Sequence, residues 1–341
     1  MSKQEFISLN SIPYSVLDLS PIIQGGSAAV TFQNTVDLAK HVENWGYKRY
    51  WLAEHHNMPG IGSSATSILI GHVAANTSTI RVGSGGIMLP NHAPLVIAEQ
   101  FGTLESLFPG RIDLGIGRAP GTDQLTAYAL RRDRRNDGQD FPELLTELRA
   151  YFQDRQSTKS KVRAIPGQGL QVPIWLLGSS GYSAQLAGQL GLPFAFASHF
   201  APENTLPALA LYRNSFRPSN VLDKPYALVA MNIIAADNDD EALLLSTSLQ
   251  QQHLHLLRNN PILLQPPVDN MDELCSDFEK AILQQKLSRS IIGSPSTIKK
   301  KLKKFSQETR ANEIIVNSQI YDHQARLHSL KIIADIMNES N

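Results

Sequence analysis

The chain has 341 residues, 42% hydrophobic and 18% charged, which is too apolar for a disordered protein and long enough for two domains or one large α/β barrel. Lysine plus arginine and aspartate plus glutamate each number 31, so global charge points neither to nucleic acid nor to an anionic membrane. Cys275 is the only cysteine, which excludes an intramolecular disulfide, a thiolate zinc site and an iron–sulfur cluster, and suits a reducing, cytoplasmic setting.

The N-terminal residues lack the basic start and apolar run of a secretory signal. A first strand is expected near Ile12–Leu19, followed by a helix over Val30–Trp45 that Gly46 stops, and a second strand over Arg49–Ala53. A helix over Ser64–Ala75, a strand over Ile80–Leu89, a helix over Pro94–Leu107 and a strand over Ile112–Ile116 follow. The alternation continues with helix Phe141–Phe152, strand Pro173–Leu177, helix Tyr182–Leu190 and strand Phe194–Ala197. No charged side chain occurs between Ala164 and Pro202, but glycines, prolines and glutamines interrupt that stretch, so it reads as buried structure and not as a membrane span.

Helix Glu203–Phe216, strand Tyr226–Ala235 and helix Asp239–Leu257 come next. Prolines then break both periods over Asn259–Asn270, a loop placed in an insertion spanning residues 258–290, with a helix over Met271–Gln285 and a possible lid role. Ser294–Pro295 reads as an N-cap and first helical position, with Ile298, Leu302 and Phe305 on one face and five lysines on the solvated side. A last strand over Glu313–Val316 and a helix over Ala325–Met337 complete eight βα units. The expectation is a single α/β domain over residues 1–341, a (β/α)8 TIM barrel with an insertion before the last strand.

Active sites of such barrels lie at the C-terminal ends of the strands, and four strand ends carry informative residues. After strand two comes Glu54-His55-His56. Adjacent side chains in extended structure face opposite ways and the spacing is not His-Glu-x-x-His, so no metal site is expected; one histidine reads as structural and the other as an acid or base. Gly83, Gly85 and Gly86 interrupt strand three, either as a bulge that eases curvature or as a backbone surface that a flat ligand can approach. Strand four runs into Gly117-Arg118-Ala-Pro120-Gly121, whose glycine spacing and proline exclude a dinucleotide fingerprint. After strand five, Gly178-Ser179-Ser180-Gly181-Tyr182 is a Gly/Ser turn into a helix, which suits either an anion on free backbone N–H groups or a plain capped turn. No Gly-x-Ser-x-Gly elbow surrounds Ser180 and no Gly-Lys pair makes a P-loop.

Taken together, these segments resemble the bacterial luciferase-like family of flavin-dependent monooxygenases, and in particular its single-subunit members. The resemblance covers most of the chain. Glu54-His55-His56, Gly85-Gly86-Ile-Met-Leu-Pro90 and Arg118-Ala-Pro-Gly121 carry it, with support from Ser15–Pro21, Gly178–Pro193, Ala197-Ser-His-Phe200 and Gly293-Ser-Pro295. It implies a barrel holding reduced FMN, with the phosphate gripped by Arg118 and the turn Gly178, Ser179, Ser180, Gly181 and Tyr182. It also implies Gly85–Gly86 under the flavin ring, joined by a cis peptide, and His55 as the catalytic histidine, with Glu54 or His56 orienting the site. The implied reaction oxygenates a small organic substrate with O2, reduced flavin coming from a separate reductase.

Gly117 stands where the luciferase subunit has a reactive cysteine, and Asn259–Asn270 departs from the luciferase lid, so light emission and a long-chain aldehyde substrate are not implied. Rival readings are a deazaflavin-dependent dehydrogenase on the same fold and a non-catalytic flavin-binding protein; a metal-dependent hydrolase lacks assembled ligands. The loop Gly121–Asp140 carries Arg131, Arg132, Arg134 and Arg135, which read as solvent-exposed. The resemblance also implies a homodimer, since family members associate through the helices after strands two and three, here Ser64–Ala75 and Pro94–Leu107, whose only charges are Glu99 and Glu105.

Overall fold

A computed structural model of the chain describes residues 8–131, 139–155 and 161–339. Along the chain run β1 (Tyr14–Asp18), α1 (Ala28–Asn44), β2 (Arg49–Leu52), α2 (Thr66–Ala75), β3 (Arg81–Met88), α3 (Pro94–Leu107) and β4 (Ile112–Gly117). Then come α4 (Gln124–Leu130), α5 (Phe141–Phe152), β5 (Ile174–Gly178), α6 (Gly181–Leu190), β6 (Phe194–Ala197), α7 (Thr205–Ser215) and β7 (Ala227–Ala235). The last part holds α8 (Asp239–Leu257), α9 (Asp277–Lys286), β8 (Ile291–Gly293), α10 (Pro295–Thr309), β9 (Glu313–Asn317) and α11 (His323–Asn338).

Strands β1 to β7 pair in sequence order, β7 pairs with β9, and β9 returns to β1, all in parallel, so eight strands close a TIM barrel. Every residue of β1, β2, β4, β7 and β9 is buried, as expected where helices cover the outside of a parallel sheet and side chains fill the inside. Outward side chains such as Val16, Tyr50, Leu52, Val82 and Ile116 meet the helices. Leu17, Trp51, Trp175, Ala195, Leu228, Ala230 and Ile315 fill the interior. The charge-free stretch after Ala164 is β5, α6 and β6 of this barrel, and no helix among the described residues is long and apolar enough to cross a membrane.

Local signals set most element ends. Ser27 caps α1 through Val30 N, and Gly46 at φ +86° ends it, a conformation glycine adopts without steric cost. Ile298, Leu302 and Phe305 bury one face of α10 as the spacing requires. Ser294 occupies its N-cap position without a side-chain cap; instead Ser294 N donates to Asp239 Oδ1 at 2.6 Å, so a neighbouring helix start serves the turn.

Three elements differ from the expectation. Helix α4 lies within the loop 121–140, started by Asp123 accepting from Thr126 N; its seven residues are too few for a clear period, and none of them is buried. The helix expected from Met271 begins at Asp277, because a reciprocal capping box between Ser276 and Glu279 starts it there. Strand β8, three residues long, pairs with the end of β7 outside the barrel and is too short for any periodic signal. Of the arginine run, Arg131 bonds the Pro90 carbonyl at 3.0 Å, and residues 132–138 lie outside the described residues.

Candidate active site

At the C-terminal mouth, β2 delivers Glu54, His55 and His56 in succession. Glu54 is 1% exposed, and its carboxylate is fully engaged: Oε1 accepts from His56 Nε2 and His92 Nε2, both at 2.9 Å, and from Asn91 Nδ2 at 3.3 Å, while Oε2 accepts from Met88 N at 3.0 Å. Burial alone would raise its pKa, but the histidine and backbone donors hold it down at about 2. Glu54 is thus an anion near neutral pH that ties the end of β2 to the end of β3. It orients His56 and His92 and makes no bond to His55.

His55 points the other way, as alternation along an extended chain demands. Its Nδ1 lies 3.3 Å from the Gly121 carbonyl, and since a carbonyl only accepts, Nδ1 carries the proton and Nε2 keeps its lone pair. Burial lowers its pKa, so the ring is neutral near pH 7. The loop beyond β4 is pinned from the same side: Thr122 Oγ1 donates to the His56 carbonyl at 3.0 Å and Asn57 Nδ2 to Asp123 at 3.1 Å.

The glycines of β3 and β4 serve backbone approach. A Cβ on Gly115 would sit 2.1 Å from the Ser84 carbonyl oxygen, and one on Gly86 would sit 2.7 Å from the Gly115 oxygen. The register between β3 and β4 shifts between Ser84 and Ile87, as the bulge reading expects; the Gly85–Gly86 peptide there is cis, with Gly86 buried and Gly85 half-buried. Gly85 sits over Leu17 and Trp51, beside a small apolar cavity of about 40 Å³.

Arg118 follows β4 and stacks its guanidinium on Tyr182 at 4.3 Å, so β4 and the β5–α6 turn meet as one surface. Arg118 makes no hydrogen bond or ion pair with the described residues. Ser180 occupies the N-cap of α6 without a side-chain cap, which leaves the first N–H groups of that helix for another acceptor. An unspent guanidinium beside an uncapped helix N-terminus is a donor set whose chemistry would suit a phosphate. Gly85, half-buried and without a side chain, leaves backbone that a flat ring could approach. These residues therefore suit FMN.

One histidine that sequence reasoning did not single out for chemistry joins the wall. His199, just after β6, lines the same small cavity as Gly85, and its Nδ1 is buried without a partner. Burial pushes its pKa down to about 4, and the nearby His253 and His55 add to this; His253, on α8, is likewise lowered by burial to about 4. The signal available was position alone, a polar residue immediately beyond a barrel strand. Over the mouth, Leu264 pairs with Ile22 and Gln24 of the loop after β1, and Gln251 and Thr247 of α8 hold the same segment at Pro266 and Val268. Among the described residues no three His, Cys, Asp or Glu side chains gather as metal ligands.

A closed TIM barrel with His55, Arg118 and the β5–α6 turn gathered at its C-terminal mouth has the layout of a barrel enzyme. The chain belongs to the luciferase-like monooxygenase family, whose model matches residues 13–313. It is 55% identical over 329 residues to a luciferase-like monooxygenase of Escherichia coli K12, covering 96% of this chain and 98% of that one. It is 62% identical over 322 residues to the uncharacterized protein YvbT of Bacillus subtilis, covering 94% and 96%. Apo-MsnO8 superposes with a TM-score of 0.85 at 32% identity, over 96% of this chain and 99% of that chain. Two more distant structures share the fold: the oxygenating constituent of 3,6-diketocamphane monooxygenase in complex with FMN (TM-score 0.71, 18% identity, 95% and 97% covered) and an F420-dependent secondary alcohol dehydrogenase (0.69, 12%, 96% and 100%).

Proposed function

We propose that the chain is a monooxygenase that uses reduced FMN and O2 to oxygenate a small organic substrate, with reduced flavin supplied by a separate reductase and with the protein working as a cytoplasmic homodimer. The observation that carries this reading is the Arg118 guanidinium, without an acceptor among the described residues and stacked on Tyr182 at the uncapped start of α6. In this reading Arg118 and the turn Gly178–Tyr182 hold the phosphate, and Gly85–Gly86 lies against the ring. Bound reduced FMN supplies the electrons that activate O2, one oxygen atom going to substrate and the other leaving as water.

The chain's own residues supply the surroundings. His55, with Nδ1–H committed to Gly121, offers Nε2 to accept or return a proton. Glu54 holds His56, His92 and the β3 end in place and takes no proton itself. His199 and His253 stay neutral, and the docked segment around Leu264 keeps bulk water from the mouth, which limits wasteful release of peroxide. The test is to bind reduced FMN and reduced F420 anaerobically in parallel and then admit oxygen. FMN binding with oxygen uptake is expected; binding of F420 alone, with no oxygen consumed, overturns the reading in favour of a dehydrogenase.

A further inference from the structure

We propose that the N-terminal mouth of the barrel, opposite the site above, binds a small organic anion: a carboxylate on a short apolar body. A cavity of about 530 Å³ opens there among the first residues of β2, β3 and β5. Its charged lining is Lys48, Arg49, Arg81 and Arg149 against Asp113, with Glu313 packed behind. Such a cluster ordinarily serves as an ionic plug for the barrel floor, and most of it does.

The plug's acceptors are exhausted, however. Asp113 Oδ1 accepts from Arg81 Nε at 3.0 Å and Nη2 at 2.6 Å, and Oδ2 from Arg49 Nη1 at 2.7 Å and Trp51 Nε1 at 3.2 Å. Glu313 Oε1 accepts from Ser15 at 2.6 Å and Arg49 Nε at 2.8 Å, and Oε2 from the Tyr226 hydroxyl at 2.8 Å, with Lys48 Nζ at 3.5 Å. Each carboxylate oxygen thus has two partners, its ordinary capacity. Donors remain. Arg149, reaching the cavity from α5, makes no hydrogen bond or ion pair with the described residues. Four cations face two carboxylates, so the mouth carries unspent positive charge and unspent N–H groups together.

The walls decide the rest of the ligand. Ile174, Trp175, Leu192 and Tyr226 make one side apolar, and cations already lie on its rings: Arg49 at 4.6 Å from Trp175 and Lys48 at 5.4 Å from Tyr226. A carboxylate meets the guanidinium groups while a short apolar body meets the rings. Trp175 in turn packs edge-on to Trp51 at 5.2 Å, and Trp51 underlies Gly85, so one pair of indoles joins this mouth to the other.

The experiment titrates the full chain with benzoate and, as the neutral isostere, benzyl alcohol, reading tryptophan fluorescence. Benzoate is expected to saturate a single change with a midpoint of about 1 mM or below, and benzyl alcohol to produce none. Arg149→Glu should raise the midpoint by about tenfold or more through loss of charge-assisted hydrogen bonds, and Arg149→Lys should restore much of the affinity. Trp175→Phe should abolish the optical change while calorimetry still reads the heat. Arg118→Ala should leave the midpoint alone, which separates this site from the flavin reading. A linear, unsaturable response, an equal response to benzyl alcohol, indifference to Arg149→Glu in a folded variant, or sensitivity to Arg118→Ala each overturns the proposal.

Discussion

Arg118 and His55 are asked for different things, and two substitutions separate them. Arg118→Ala removes a guanidinium whose hydrogen bonds to a phosphate are each worth roughly 1.5 to 3 kcal/mol, so FMN affinity should fall by about tenfold or more while riboflavin affinity holds. Parallel flavin titrations check this; equal losses for both flavins would mean that Arg118 does not hold the phosphate. His55→Ala should leave FMN binding intact, slow substrate oxygenation by roughly 100 to 10,000-fold, and raise peroxide release. His56→Ala is its control: His56 is bound to Glu54, so its loss should cost stability first and turnover little. Acid should act through the buried groups in two windows. His199 and His253 titrate at about 4 against an ordinary 6.5, so the unfolded chain takes up those protons first, and stability complete above pH 6.5 is lost as pH falls toward 4. Glu54, at about 2 against 4.5, adds a second loss between 4.5 and 2. Urea midpoints measured from pH 7.5 to 3 should decline in that order, and His199→Leu should flatten the first decline; a midpoint constant from 7 to 5 contradicts the assignment.

Among the elements, the segment around Leu264 is the one whose docking can be tested without touching the candidate site. Gly60 lies under it, and a Cβ there would sit 2.5 Å from the Ile262 carbonyl oxygen, a backbone atom that cannot swing aside. Gly60→Ala should therefore lift the segment. Limited proteolysis over residues 259–270 should speed up, and the share of oxygen released as peroxide should rise, with FMN affinity unchanged. Unaltered proteolysis together with unaltered peroxide would show that the segment is not a cover. The contrast with α10 is instructive: its buried Ile298, Leu302 and Phe305 are fixed by packing, and its lysines sit on the solvated side as periodicity alone implies.

At the scale of the molecule, α2 and α3 leave Ile68 72%, Val96 44% and Leu107 64% exposed on helices whose only charges are Glu99 and Glu105. Outer barrel helices normally face water with charge, so this surface is the expected dimer contact. Sedimentation at micromolar concentration should give two chains per particle, and the double substitution Ile68→Lys, Leu107→Lys should give one. A wild-type monomer under those conditions would remove the dimer from the proposal.

The alternation of apolar strands with longer amphipathic stretches determined the barrel, because parallel βα units repeat two periods that survive in linear order. The same order placed Glu54-His55-His56, Arg118 and Gly178–Tyr182 at strand ends and Gly85-Gly86 within the third strand, and barrel geometry brings them to one face. What linear order does not encode is which neighbour each side chain meets. Only the closed barrel shows that Glu54 binds His56 and His92 and leaves His55 to Gly121, that Arg118 lies on Tyr182, and that His199 shares a cavity with Gly85. Strand β8 and helix α4 escaped for a related reason: three residues and seven residues are too short for a clear period, so their conformation is decided by a partner strand and a single cap. The ionic mouth at the other end was equally hidden, since Arg49, Asp113, Arg149 and Glu313 are 36 to 264 residues apart pairwise and become one site only when the sheet closes.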